Sequence, residues 1–349
     1  MIRAGGHPTR GFTLVELLVV ITIMLALGAI MIPSMRTGLE GRRMREAARN
    51  VNVYLGTARN RAIETGRPAG VIFQRDPNLR QASVTMQQAE VPPPYAGDWE
   101  NSRIVSVQAG PGVVLVSFPA IPGITPGGET PFGDPSNPAV PVLVRLGDLV
   151  QLNYQGPTWT ITGIQPGPQP GTWLLACFSM QTSRLPVCPI VGTPPQPLPM
   201  PFQFFLQPMA TSTPSVTLPT QMAIDLLDSG TDSQRFFVNP IAPDASPVIV
   251  MFSPNGALDA FYLWGLRYPG QEPVFLLIGR RDRVTLDLAP MYTPPAEDGR
   301  FNLADTNNLW VTVFPQTGLV TTAPMASSPG GTLAEARRLA REGQRMGGQ

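Results

Sequence analysis

Few side chains in this sequence can do chemistry. The only histidine is His7 and lysine is absent, so every other basic side chain is an arginine. That removes the imidazole base, the imidazole metal ligand and the Schiff-base amine from nearly the whole chain. Carboxylates remain, and a carboxylate pair suffices for glycoside hydrolysis, but nothing in the spacing marks a paired-carboxylate cleft. Asp225, Asp228 and Asp232, in IDLLDSGTDSQ, supply the oxygen ligands that calcium accepts. They lack an EF-hand pattern, and a solvated loop is the other reading. Cys177 and Cys188 form either a disulfide or two buried thiols. Near the end, Arg337, Arg338, Arg341 and Arg345 either contact an anion such as DNA phosphate or line a solvated helix, with Glu335 and Glu342 interspersed among them. The expectation is a protein with no enzymatic activity, no cofactor and no metal.

One carboxylate stands apart. Glu16 lies near the start of GFTLVELLVVITIMLALGAIMIP, a run from Gly11 to Pro33 that is otherwise apolar. As a helix, residues 12–32 would extend roughly 31 Å, matching the ~30 Å hydrocarbon core of a bilayer. A charged side chain there costs about 2.5 kcal/mol or more, so Glu16 calls for a partner. The run is followed by Pro33-Ser34-Met35-Arg36 and not by a small-residue A-x-A site, so the apolar segment is expected to be retained and not removed as a secretory signal.

The hexapeptide Gly11-Phe12-Thr13-Leu14-Val15-Glu16, with a short leader carrying Arg3 and Arg10 before it and Pro33 after the apolar run, resembles the prepilin signature of type IV pilins and type II secretion pseudopilins. The resemblance implies cleavage after Gly11 by a prepilin peptidase, methylation of the new amino terminus at Phe12, and an assembly role for Glu16. The cationic amine of one subunit would neutralise Glu16 of its neighbour and favour staggered packing of apolar helices. A finer likeness links YLGTARNRAIETGRPAGVIF and Phe252-Ser253-Pro254-Asn255-Gly256 to the H-type pseudopilin and FimT-like group. That implies a minor pseudopilin of a type II secretion-like filament, or alternatively a FimT-like minor pilin that binds DNA in natural transformation. The implied partners are other pilins or pseudopilins, the peptidase and an inner-membrane assembly platform. The implied location is a single pass through the inner membrane with the globular part outside the cytoplasm. Arg36, Arg42, Arg43 and Arg45 follow the apolar run, so positive charge alone does not set that orientation.

The elements follow from periodicity. Met44, Ala47, Ala48, Val51, Tyr54, Leu55, Ala58 and Ala62 recur at three- and four-residue spacing, one face of an amphipathic helix. Gly66 and Pro68 stop it. Segments 112–118, 149–164, 273–279 and 309–322 read as strands, the last as a hairpin about Pro315 to Gly318. Proline lacks the ladder donor, so PAIPGITPGGETPFGDPSNPAVP and PIVGTPPQPLPMPFQFFLQP read as surface loops. Thr332 and Glu335 form a capping box before a short final helix. The expected fold is α+β and pilin-like, a long N-terminal helix packed on an antiparallel β-sheet domain with long proline-rich loops. Its parts are a leader (1–11), a membrane and filament-core helix (12–35), an amphipathic helix (36–66), a β-rich domain (67–325) and a tail with a short helix (326–349).

Charged residues make up 14% of the chain, against about 25% for ordinary soluble domains. The formal net charge is +1. Bulk charge therefore gives no support to nucleic acid as a partner, and only the arginine tail offers a local exception.

Overall fold

The computed structural model describes residues 14–100, 102–110, 113–118, 131–132, 142–166, 172–178, 190–191, 196–236, 246–284, 301–326 and 332–346. In chain order, helix α1 (Leu14–Thr65) leads into β1 (Ala69–Arg75) and β2 (Ala82–Glu90). A second block contains β3 (Val105–Gly110), β4 (Val113–Phe118), β5 (Leu149–Leu152), β6 (Thr158–Pro166), β7 (Trp173–Phe178), β8 (Ile190–Val191), β9 (Gln196–Pro197) and β10 (Phe202–Phe205). The chain then returns through β11 (Met209–Ala210), β12 (Val216–Thr217), β13 (Met222–Gly230), β14 (Val248–Phe252), β15 (Leu258–Leu263), β16 (Leu266–Pro269) and β17 (Val274–Arg280). It closes with β18 (Leu309–Val313), β19 (Val320–Pro324) and helix α2 (Leu333–Met346).

Two antiparallel sheets carry the body. The larger runs β16-β15-β14-β1-β2-β13-β17-β18-β19, with β11 and β12 also paired to β2. The smaller runs β10-β5-β6-β7-β4-β3. The smaller sheet is an insertion between β2 and β11, and its ends meet: Tyr95 N–H donates to Phe204 O (2.9 Å) and Phe204 N–H to Tyr95 O (2.8 Å). It has its own core, in which Val114, Val116, Val150, Trp159, Ile161, Leu175, Phe202 and Phe204 are buried together. Each such side chain contributes about 1.5–3 kcal/mol through burial.

The larger sheet is covered on both faces. On one side the row Met44, Ala47, Ala48, Val51, Leu55, Ala58 and Ala62 of α1 packs on Val71, Phe73, Val250, Phe252, Leu276 and Val311. On the other, Leu333, Ala336 and Ala340 of α2 pack on Phe275, Leu277 and Trp310. Strand β17 reads VFLLIG without alternation because Val274, Leu276 and Ile278 face α1 while Phe275 and Leu277 face α2. An unbroken apolar run is what a strand buried on both faces requires.

This corrects the expected fold. The body is mostly strand, a sandwich-like assembly of two antiparallel sheets, and not a long helix packed on one small sheet with loop insertions. The part of α1 that packs on the body is short, from Met44 to Ala62. The proline-rich stretch 189–208 supplies β10, an edge strand of the smaller sheet with Phe202 and Phe204 buried. Its prolines flank the sequence FQFF and do not interrupt it, and an edge position tolerates them there.

Candidate functional site

The described residues of α1 begin at Leu14, so Gly11, Phe12 and the leader lie outside them. From Leu14 to Leu27 every side chain is exposed, including Leu14 (87%), Met24 (69%) and Leu25 (69%). Scattered exposed apolar residues are ordinary, but a continuous apolar patch marks contact with a membrane or a partner. Glu16 sits exposed in the first turn of this helix. Among the described residues no helix is long and apolar enough to cross a membrane. The backbone stays helical through Gly28 and Pro33 to Thr65.

Farther along, α1 is fixed by its arginines. Arg59 Nε donates to Gly256 O (3.1 Å) and to Thr317 O (3.0 Å), tying two hairpin tips to the helix. One tip is the Phe252–Gly256 hairpin, in which Ser253 N–H donates to Ala257 O (2.9 Å) and Gly256 has φ +83°. Arg61 pairs with Glu90, and Glu40 accepts from Arg280 (3.0 Å). Arg42, Arg45 and Arg49 are exposed.

The C-terminal arginines are drawn into the protein. Arg337 is 3% exposed; it donates to Thr231 O and to Asp228 O (2.7 Å) and lies 5.8 Å over the Phe275 ring. Arg341 pairs with Asp232 (3.0 Å) and also lies over Phe275. Arg338 lies 3.8 Å from both Glu335 and Glu342. For Arg345 only the helical backbone is described. Sequence spacing held a sign of this: Arg337 belongs to the i, i+3, i+4, i+7 set with Leu333, Ala336 and Ala340, so the apolar face of α2 carries it inward.

The three aspartates engage different partners. Asp225 accepts from Asn302 Nδ2 (2.9 Å) and Leu227 N–H (3.1 Å), and Asp232 pairs with Arg341. Burial, and then the neighbouring Asp228, push the Asp225 carboxyl above its ordinary range. Burial raises Asp228 as well, while Arg235 and Arg337 pull it back. Among the described residues no group of three or more His, Cys, Asp or Glu is placed to hold a metal ion. Cys177 is buried in the smaller sheet, where burial pushes its thiol up to about 12. Cys188 lies outside the described residues.

Sequence reasoning passed over the seam between the sheets. Asp148 is 1% exposed and accepts from Arg145 N–H (2.7 Å) and Gln207 N–H (2.9 Å), while Gln207 Nε2 donates to Leu146 O (2.7 Å). Burial pushes Asp148 up to about 6 against those two hydrogen bonds. A lone Gly147-Asp148 turn signal was all the sequence offered, because Gln207, the partner that closes the seam, lies 59 residues away.

Residues 7–32 match the family model of the prokaryotic N-terminal methylation motif. That motif supports a type IV pilin-like character, a prepilin-processed protein anchored through its N-terminal segment and assembling with other pilins. The match lies wholly within the N-terminal segment. No curated protein and no solved structure matches the chain.

Proposed function

We propose that this chain is a minor pseudopilin, a structural and non-catalytic subunit of a type II secretion-like filament, of the H-type and FimT-like group. A prepilin peptidase cuts after Gly11, Phe12 is methylated, and the apolar part of α1 holds the subunit in the inner membrane with the β-rich body outside the cytoplasm. The observation that carries this reading is the exposed apolar stretch Leu14–Leu27 with one carboxylate, Glu16, in its first turn, inside the matched methylation motif. An exposed apolar helix is unfavourable in water and favourable against lipid or parallel copies of itself. The amine left on Phe12 supplies the positive charge that a carboxylate in such surroundings requires. Assembly then replaces lipid contacts of α1 with helix–helix contacts, and the charge pair sets the axial offset between neighbours. The body leaves this stretch of helix uncovered; among the described residues its first contact with α1 is the Arg280–Glu40 pair, and its apolar packing follows at Met44.

The test is the mass of the membrane-extracted protein. The expected chain begins at Phe12 with one methyl group on its amine. A mature amino terminus beyond Ile32, or an intact leader in cells with an active prepilin peptidase, refutes the reading.

A further inference from the structure

The segment from Met209 to Gln221, MATSTPSVTLPTQ, is rich in serine, threonine and proline and has no charged residue. Its flanks are pinned to the edge of β2: Met209 and Ala210 pair with Glu90 and Ala89, and Val216 and Thr217 pair with Met86 and Thr85. Residues 211–215 therefore stand opposite only Gln87 and Gln88, and the excess length protrudes from the sheet. The loop is nonetheless held. Thr211 N–H donates to Gln88 O (2.9 Å), Gln87 Nε2 to Thr211 O (3.1 Å) and Tyr54 Oη to Pro214 O (3.3 Å).

The hydroxyls divide into two sets. Thr211 and Thr213 are half-buried and hydrogen-bonded to each other (2.5 Å), and Thr211 Oγ1 also reaches Gln88 O (3.3 Å). Ser212 and Ser215 are exposed, and their hydroxyls make no hydrogen bond among the described residues. Pro214 is exposed between them. Internal bonds thus fix the backbone, and the two free hydroxyls are presented on a projecting, uncharged loop. Tyr54, which holds the loop, stands about 33 Å along α1 from Ile32, well clear of the apolar segment. Serine, threonine and proline density without charge is the composition of O-glycosylated segments.

We propose that Ser212 and Ser215 are acceptors for O-linked sugars, transferred from a glycosyl phosphate donor. The serine Oγ forms a bond to the anomeric carbon, and the bond from that carbon to the donor phosphate breaks. The phosphate leaves with the electron pair, and the hydroxyl proton passes to a base of the transferase. The added sugars would project outward from the point where the loop lifts away from β2.

The experiment is intact-mass and electron-transfer fragmentation mass spectrometry on the full chain purified from the cells that naturally make it. The expected mass exceeds that of the processed, methylated chain by whole sugar residues, located on the 209–221 segment. The Ser212→Ala/Ser215→Ala chain should lose the adduct, and Ser212→Thr/Ser215→Thr should keep it. A wild-type 209–221 segment of unmodified mass, or an adduct that persists in the double alanine chain, overturns the proposal. The same fragmentation reads the amino terminus separately, so failure of processing and failure of glycosylation are distinguishable.

Discussion

Replacing Arg337 with methionine keeps a long apolar stem and removes the buried guanidinium. Two hydrogen bonds to carbonyls, Thr231 O and Asp228 O, disappear, together with the contact over Phe275. Hydrogen bonds from a charged donor contribute about 1.5–3 kcal/mol each. Part of that gain is offset by the cost of burying the charge, which the methionine no longer incurs. The substitution also leaves the buried Asp228 with Arg235 as its remaining cationic neighbour. Removing one partner from a buried charge cluster costs about 3–5 kcal/mol, and we expect α2 to lose about 3 kcal/mol of its hold on the sheet. At about 1.4 kcal/mol per factor of ten, that raises the opening constant of α2 by roughly 100-fold. Hydrogen exchange of the 333–346 amides in the detergent-solubilised full chain measures it, with protease release of the tail as a second readout. Arg338→Ala is the control: its ion pairs are exposed and 3.8 Å long, worth about 0.3–0.5 kcal/mol each. If Arg337→Met changes α2 exchange less than threefold, the buried anchor is not what holds the helix.

Glu16→Ala should leave membrane insertion intact, or ease it, while reducing cross-linking to neighbouring subunits; unchanged cross-linking would contradict an assembly role. Gly318 has φ +60°, and a Cβ there would press on Gly256 O at the hairpin tips held by Arg59. Gly318→Ala should therefore cost more than about 2 kcal/mol in urea unfolding. Asp148 is raised from 3.8 to about 6 in the folded chain, so its protonation favours folding. That contribution is complete below about pH 3.8 and is lost as pH rises through about 6, a change of at most about 3 kcal/mol. Urea midpoints measured across this window should fall with rising pH, and Asp148→Asn should flatten the profile. Duplex DNA should bind weakly at about 150 mM salt, because Arg337, Arg338 and Arg341 already engage groups of this chain. Submicromolar affinity in an anisotropy titration, lost on deleting residues 332–349, would instead favour a DNA-uptake pilin.

Local and one-dimensional features were legible in the sequence. The prepilin-like hexapeptide, the apolar run and the buried row from Met44 to Ala62 each depend on residues close together in the chain, so the first is read by its resemblance and the other two by their spacing. The β17 segment was legible as a strand, and its unbroken apolar run already required cover on both faces. The amphipathic helix after residue 36 was expected to pack on the sheet, and it covers one face; that α2 covers the other face of β17 was not legible, because more than 50 residues separate β17 from α2. The same limit hid the second sheet. Prolines at 197, 199 and 201 suggested a loop, yet FQFF pairs with Leu149–Leu152 some 50 residues earlier, and an edge strand needs only one partner. The tail shows the division most sharply. The sequence set four arginines on a short helix. Tertiary packing put Arg337 over the carbonyls of Asp228 and Thr231, because the apolar face that had to be buried carried Arg337 in with it.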